Sequence, residues 1–271
     1  MDPTPIFSTD CGRRMRVACF VSGSGTNAGK IIDFSLREGS GYEVALIFTD
    51  LRDDRLKRDG SKRCRARDIA EEHGIAYECV DIRDFYRARG VKRAGDLTLR
   101  PEFDGLVLEA IEHHDINVIA LAGYMSVTTE PLLERFAGRM LNVHPADLSI
   151  MEGKDRKYVG IHVVRDAILA GEAKLRASTH IVREKVDHGE ILVISEPVPV
   201  ELPEGVGLED LKEDKKLLRR VVEEHQDRLK KKGDWVIFPL SLQMIAEGRF
   251  ALAGEGNLYL DGKKAPNGLR L

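Results

Sequence analysis

Short apolar runs alternate with helical patterns along the first half of the chain, and this alternation constrains the fold more than any other feature. Residues 15–21 (MRVACFV) form a β-rich run that ends at Ser22-Gly23, and a helical pattern begins near Asn27. Residues 42–50 (YEVALIFTD), 75–81 (IAYECVD) and 117–123 (NVIALAG) repeat the strand signal, and 139–145 (RMLNVHP) adds another. Helical stretches fall between them at 61–74, stopped by Gly74, and at 101–115, opened by Pro101. A shorter helix precedes Arg139. Within 117–123 the residues after Asn117 form a continuous apolar run, as in a strand covered on both faces. The expected fold is therefore α/β: a mostly parallel sheet with helices on both faces, Rossmann-like in its N-terminal half. Residues 82–100 read as a polar interruption, and residues 1–14 as a flexible tail.

The second half carries an antiparallel C-terminal extension. A helix is expected over 162–172, followed by two strands joined by Val186-Asp187-His188-Gly189. Residues 205–233 are highly charged. Leu211, Leu218, Val222 and Leu229 share one helical face there, acidic residues open the segment, and lysines close it. This reads as an amphipathic helix docked on its own domain. A further helix and a hairpin on Asp261-Gly262 end the chain.

The net charge is −3, with 42% hydrophobic and 32% charged residues. Nothing marks a nucleic-acid or membrane-surface binder, and no apolar run approaches the ~18 residues of a membrane span. The first residues lack the apolar core of a secretory signal. The four cysteines, Cys11, Cys19, Cys64 and Cys79, show no paired spacing, which fits reduced thiols in a cytoplasmic protein.

Two places carry chemistry. Ser22-Gly23-Ser24-Gly25-Thr26-Asn27 lies between a strand and a helix, where backbone N–H groups and the helix terminus suit a phosphate. A dinucleotide turn or a plain tight turn would use the same glycines. A nucleotide-triphosphate loop would not, because Ser24 stands where it needs glycine and Ile31 where it needs a hydroxyl. The second place is Asn142-Val143-His144-Pro145. Alternation puts Asn142 and His144 on one face of a strand that Pro145 ends, at the edge where open α/β sheets bind ligands. Histidine can exchange a proton near neutral pH, and an asparagine amide can donate to a developing oxyanion. Taken alone, the pair suits a structural role equally well, and Asp187 suits a simple turn. The histidines show no metal-ligand spacing.

Taken in order, Gly-Ser-Gly-Thr-Asn, Leu121-Ala122-Gly123-Tyr124-Met125, Asn142-Val143-His144-Pro145 and Val186-Asp187-His188-Gly189 resemble the phosphoribosylglycinamide formyltransferase family, folate-dependent enzymes of purine synthesis. The resemblance runs from about Met15 to Leu271. It implies one formyltransferase domain over 15–271, with a nucleotide-binding half over 15–115 and a folate-binding, catalytic half over 116–271.

It also implies residue roles. Ser24, Gly25, Thr26 and Asn27 would hold the substrate phosphate. Arg100, Tyr124, Met125, Ser126, Val127 and Thr128, with Asn142, would line the folate site. Asn142, His144 and Asp187 would be catalytic, and Asp234 would contact the amine. The co-substrate would be 10-formyltetrahydrofolate, with no metal. Departures from the family touch the acceptor: residues 146–162 are lengthened and lack a proline, 82–100 and 201–233 are expanded, and Asp234 replaces a glutamate. A different amine, water as acceptor in a formyltetrahydrofolate hydrolase, and a non-catalytic folate- or nucleotide-binding protein are the alternatives.

Overall fold

The computed structural model describes residues 2–9, 12–91 and 97–271. Cys11 and residues 92–96 of the expanded segment lie outside this range. The chain is mixed α/β, with a large, mostly parallel sheet and antiparallel strands toward the C-terminus. It divides into two compact units, residues 6–142 with 245–248, and residues 1–5, 143–244 and 249–271. The main division falls after Asn142.

In the first unit, β1 (Met15–Phe20) pairs in parallel with β2 (Tyr42–Thr49) on one side, and β2 with β3 (Ala76–Cys79). On its other side β1 pairs in parallel with β4 (Val118–Leu121), and β4 with β5 (Met140–His144). The chain thus builds outward in one direction and then returns to the other flank of β1. That reversal creates a switch point between β1 and β4, where the loops at the strand ends diverge and leave a crevice. All four β4 residues are buried, as the apolar run requires. The crossovers are α1 (Thr26–Ser35), α2 (Ala66–His73), α3 (Ile82–Ala88), α4 (Arg100–Ile111) and α5 (Leu132–Arg135).

Helix α3 lies in the segment read as a polar interruption, 82–100, and gives its first residues a regular structure. Its apolar residues Ile82, Phe85 and Tyr86 are buried at helical spacing, and their signal is masked by the arginines around them. Phe85 meets Phe103 of α4 edge-on at 5.3 Å between centroids. Asp81 caps the helix by accepting from Asp84 N at 2.9 Å, and Arg55 forks onto the same carboxylate at 2.8 and 2.6 Å.

In the second unit, β6 (Ser178–Ile181) and β7 (Ile191–Ile194) are antiparallel, and the chain end Leu269–Arg270 adds to β7 in parallel. The segment expected to be a flexible tail contributes a short strand, Thr4–Pro5, paired with Ala251 and Leu252. Leu258–Leu260 and Lys263–Lys264 form the expected hairpin on Asp261 and Gly262, both at positive φ. After α6 (Val163–Leu169), the charged segment forms α7 (Leu208–Glu213) and α8 (Lys215–Leu229) instead of one helix. Asp214 separates them, its carboxylate accepting from Lys216 N and Leu217 N. The buried residues are Leu211, Val221, His225 and Leu229, while Leu218 and Val222 are half-buried along a cleft beside α6. A π-helical turn (Lys230–Asp234) leads into α9 (Trp235–Ala246). No described helix is long and apolar enough to cross a membrane.

Asp81 is nearly enclosed and tied to two backbone donors and Arg55. Burial works against its charge, but the Arg55 guanidinium and the backbone donors outweigh it and hold the carboxyl down at about 2. A depressed acid stabilises the fold above its unfolded value and loses that contribution as pH falls toward 2. Asp81→Ala should cost about 3 kcal/mol, because it strands Arg55 and uncaps α3. Thermal unfolding at neutral pH checks this, and the gap between variant and wild type should narrow below pH 4.

Candidate active site

Strand β5 ends at His144, and Asn142 stands two residues earlier on the same strand. His144 is 4% exposed. Its Nε2 lies 3.1 Å from the Tyr158 carbonyl, which can only accept, so Nε2 carries a proton. Its Nδ1 lies 3.5 Å from Asp187 Oδ2. A neutral ring presents a lone pair at Nδ1, and an imidazolium presents an N–H there to the carboxylate. Protonation therefore occurs on the nitrogen that faces Asp187. Burial nevertheless holds His144 below the usual imidazole range, and the Asp187 anion works against that shift without overcoming it. The Asn142 amide is half-buried and makes no hydrogen bond among the described residues.

Asp187 occupies the turn between β6 and β7 with φ +58, a left-handed conformation that aspartate tolerates better than most residues. Both carboxylate oxygens are engaged. Oδ2 accepts from Gly160 N at 3.0 Å and faces His144, and Oδ1 lies 3.5 Å from His180 Nε2. Burial opposes the charge, but His180, His144 and the Gly160 amide outweigh it and hold the carboxyl down at about 2. The anion thus sits between two buried imidazoles. His180 was legible only as one histidine among several. Its place on β6, followed by a turn bearing an acid, was the available signal.

The lengthened segment 146–162 is built into this site. It forms a small hairpin of Met151–Glu152 and Asp155–Arg156 and then supplies the Tyr158 carbonyl and the Gly160 amide. Asp234 is buried at the end of the π-helical turn. The turn packs closely, since a Cβ on Gly233 would stand 2.9 Å from Ala177 Cβ.

In the first unit, the glycine loop and the Tyr124 segment meet at the switch point. Gly25 caps α1 at φ +66, in space so tight that a Cβ would fall 2.2 Å from Ile69 Cδ1. No acidic residue stands in the first turn of α1, Ser24 is exposed, and the Asn27 side-chain oxygen is buried without a hydrogen-bond partner among the described residues. Ser22 N donates to Gly123 O, and Ser22 Oγ accepts from Met125 N at 3.0 Å. Asp50, at the end of β2, takes the Ser22 hydroxyl on one oxygen at 2.6 Å and the Ser126 hydroxyl on the other at 2.5 Å. Asp104 accepts from both Thr129 N and Thr129 Oγ1, and burial pushes its carboxyl up to about 6. The backbone of 124–129 is thus fastened at both ends, while Met125 is 71% exposed and Val127 37%. Thr128 is buried, and the Tyr124 ring packs on Phe20 at 5.3 Å. Arg100 is buried, its guanidinium 5.6 Å from the Phe103 ring centroid. A fixed backbone flanked by exposed apolar side chains suits a flat heterocycle. Asp50 and Asp104 were missed, although Asp50 obeys the strand-end rule that singled out Asn142 and His144.

A model of the formyl transferase family matches residues 15–207. The phosphoribosylglycinamide formyltransferase of Haemophilus influenzae is 28% identical over 252 residues, covering 93% of this chain and 96% of that protein. The human trifunctional purine biosynthetic protein adenosine-3 is 26% identical over 246 residues, covering 91% of this chain and 20% of that protein. The chain therefore spans about a fifth of that relative's length. Glycinamide ribonucleotide transformylase 1 from Symbiobacterium toebii matches with a TM-score of 0.62 at 27% identity, over 92% of this chain and 95% of that one. With the family match covering most of its length, the chain belongs to the formyl transferase family.

Proposed function

We propose that the protein transfers the formyl group of 10-formyltetrahydrofolate to the amine of 5′-phosphoribosylglycinamide in purine synthesis. The observation that carries this reading is the buried His144–Asp187 pair at the end of the strand that bears Asn142. Attack by the amine on the formyl carbon places negative charge on the formyl oxygen. The Asn142 amide and the His144 Nε2–H donate to that oxygen, which replaces the Tyr158 carbonyl as the acceptor from Nε2. Asp187 orients the ring and favours its protonated form. It is also the ionised group that, through a water molecule, carries the amine proton toward N10 of the folate. Donors aimed at developing charge in a water-poor site stabilise the transition state more than the ground state. The reaction so written uses no metal.

The acceptor phosphate is assigned to Ser24, Gly25, Thr26 and Asn27 at the open start of α1, and Asp234 to the acceptor amine. The folate is assigned to Tyr124, Met125, Ser126, Val127 and Thr128, with Arg100 and Asn142. The buried Tyr124 hydroxyl, without a hydrogen-bond partner among the described residues, is a polar group that such a ligand can satisfy.

His144→Ala should lower kcat about 100- to 1000-fold while calorimetry still detects donor binding, because the side chain acts mainly in the transition state. Turnover near wild type in this variant refutes the catalytic assignment. In Asp187→Asn the anion that favours imidazolium is gone, so the His144 pKa falls further. If protonated His144 is the active form, activity should begin to fail at a lower pH than in wild type. The pH–rate profiles of the two proteins check the sign.

An acceptor without its phosphate should bind about 100-fold more weakly. Gly25→Val should raise the acceptor KM and leave donor affinity nearly intact. Equal turnover of phosphorylated and unphosphorylated acceptors would show that the glycine loop is only a turn.

A further inference from the structure

The lengthened segment 146–162 grips the Asp187 turn from several sides. Arg156 Nη1 donates to the Asp187 carbonyl at 2.5 Å, and Nη2 donates to the Gly189 carbonyl at 2.8 Å. Asp155, the preceding residue, accepts from Lys185 Nζ at 2.6 Å on the other flank of the turn. Gly160 N reaches the Asp187 carboxylate itself. Gly189 is pressed against β6, where a Cβ would fall 1.9 Å from the Ile181 carbonyl oxygen. The turn therefore has no room to settle inward, and its outer side is fixed by Arg156.

The choice of acceptors is informative. Among the described residues Arg156 has no carboxylate partner within salt-bridge distance, although arginine usually pairs with one when partly buried. Its two terminal nitrogens go instead to backbone carbonyls two residues apart, on either side of His188. A planar fork spanning i and i+2 carbonyls fixes the backbone on which Asp187 stands. Asp187 is also the one residue of that turn with a left-handed φ among the described non-glycine residues there. A conformation of this kind persists when its surroundings enforce it.

We propose that Arg156 is a positioning residue for formyl transfer, its guanidinium fork holding the Asp187 turn so that the carboxylate faces His144. The lengthened segment thereby becomes part of the catalytic apparatus. This inference rests on the formyl-transfer reading above. The charged groups facing His144 are Asp187, His180 and Arg156, so the fork and the charge of Arg156 must be separated. Arg156→Lys separates them: it keeps a cation and loses the fork, since one ammonium cannot reproduce the planar double donation.

The test uses the full chain as wild type, Arg156→Lys and Arg156→Gln. Steady-state kinetics are measured with both substrates, and the His144 imidazole is titrated by NMR without substrate. In Arg156→Lys, kcat should fall about tenfold or more with both KM values within about threefold of wild type. The His144 pKa should move down by about half a unit, because the loosened carboxylate supports imidazolium less. Arg156→Gln should lose at least as much in kcat. An Arg156→Lys protein with kcat within twofold of wild type and an unmoved His144 titration overturns the proposal, whatever its melting temperature. A wild-type chain that binds the donor yet transfers nothing removes the formyl-transfer reading, and the substrate-free titration then still decides whether Arg156 positions the pair.

Discussion

A carboxylate kept ionised inside the protein is the constraint around which the second unit is arranged. Asp187 is 6% exposed, and removing a charge from water is costly unless partners replace the lost hydration. Three partners do so: His144, His180 and the Gly160 amide. Each comes from a different element, so β5, β6 and the 146–162 segment must all be in place before the anion is tolerable. The turn that carries it places Asp187 at a left-handed φ, and the glycine two positions later leaves room for the Ile181 carbonyl. The two imidazoles share one anion.

In the first unit the governing feature is the reversal of strand order about β1. It brings the ends of β1, β2 and β4 to one edge, where Ser22, Asp50 and Ser126 form a continuous hydrogen-bonded chain. A buried carboxylate with two hydroxyl donors fixes the backbone on both sides of it. The glycine loop and the Tyr124 segment are thereby held in a defined relation before any ligand arrives. Preorganisation of this kind lowers the entropy that binding would otherwise consume.

Much of this was legible in the residues. The parallel strands were visible because strands buried on both faces become uninterrupted apolar runs, as in Val118–Leu121. Asn142 and His144 were legible because a period-two pattern and a terminal proline fix both face and edge. Helix α3 was hidden because its buried positions, Ile82, Phe85 and Tyr86, are interleaved with arginines whose pairing, Arg87 with Asp84 and Arg89 with Glu102, composition does not reveal. The break at Asp214 was hidden because a capping aspartate inside a charged run looks like any other acid until its backbone partners are known. Arg156, Tyr158 and His180 were beyond sequence reasoning for a related reason. Two of these contacts are made by or to backbone carbonyls, which carry no residue signature. Asp187 stood out only through family resemblance, and in the fold it is a buried anion between two rings.

In the proposed reaction an amine, and not water, receives the formyl group. The most direct test follows the fate of an isotopically labelled formyl carbon on 10-formyltetrahydrofolate, incubated with the wild-type protein and 5′-phosphoribosylglycinamide and analysed by mass spectrometry. The account predicts label in the N-formyl group of the acceptor, in equal amount to the tetrahydrofolate produced. Label recovered as free formate at the same rate with and without the amine would contradict it.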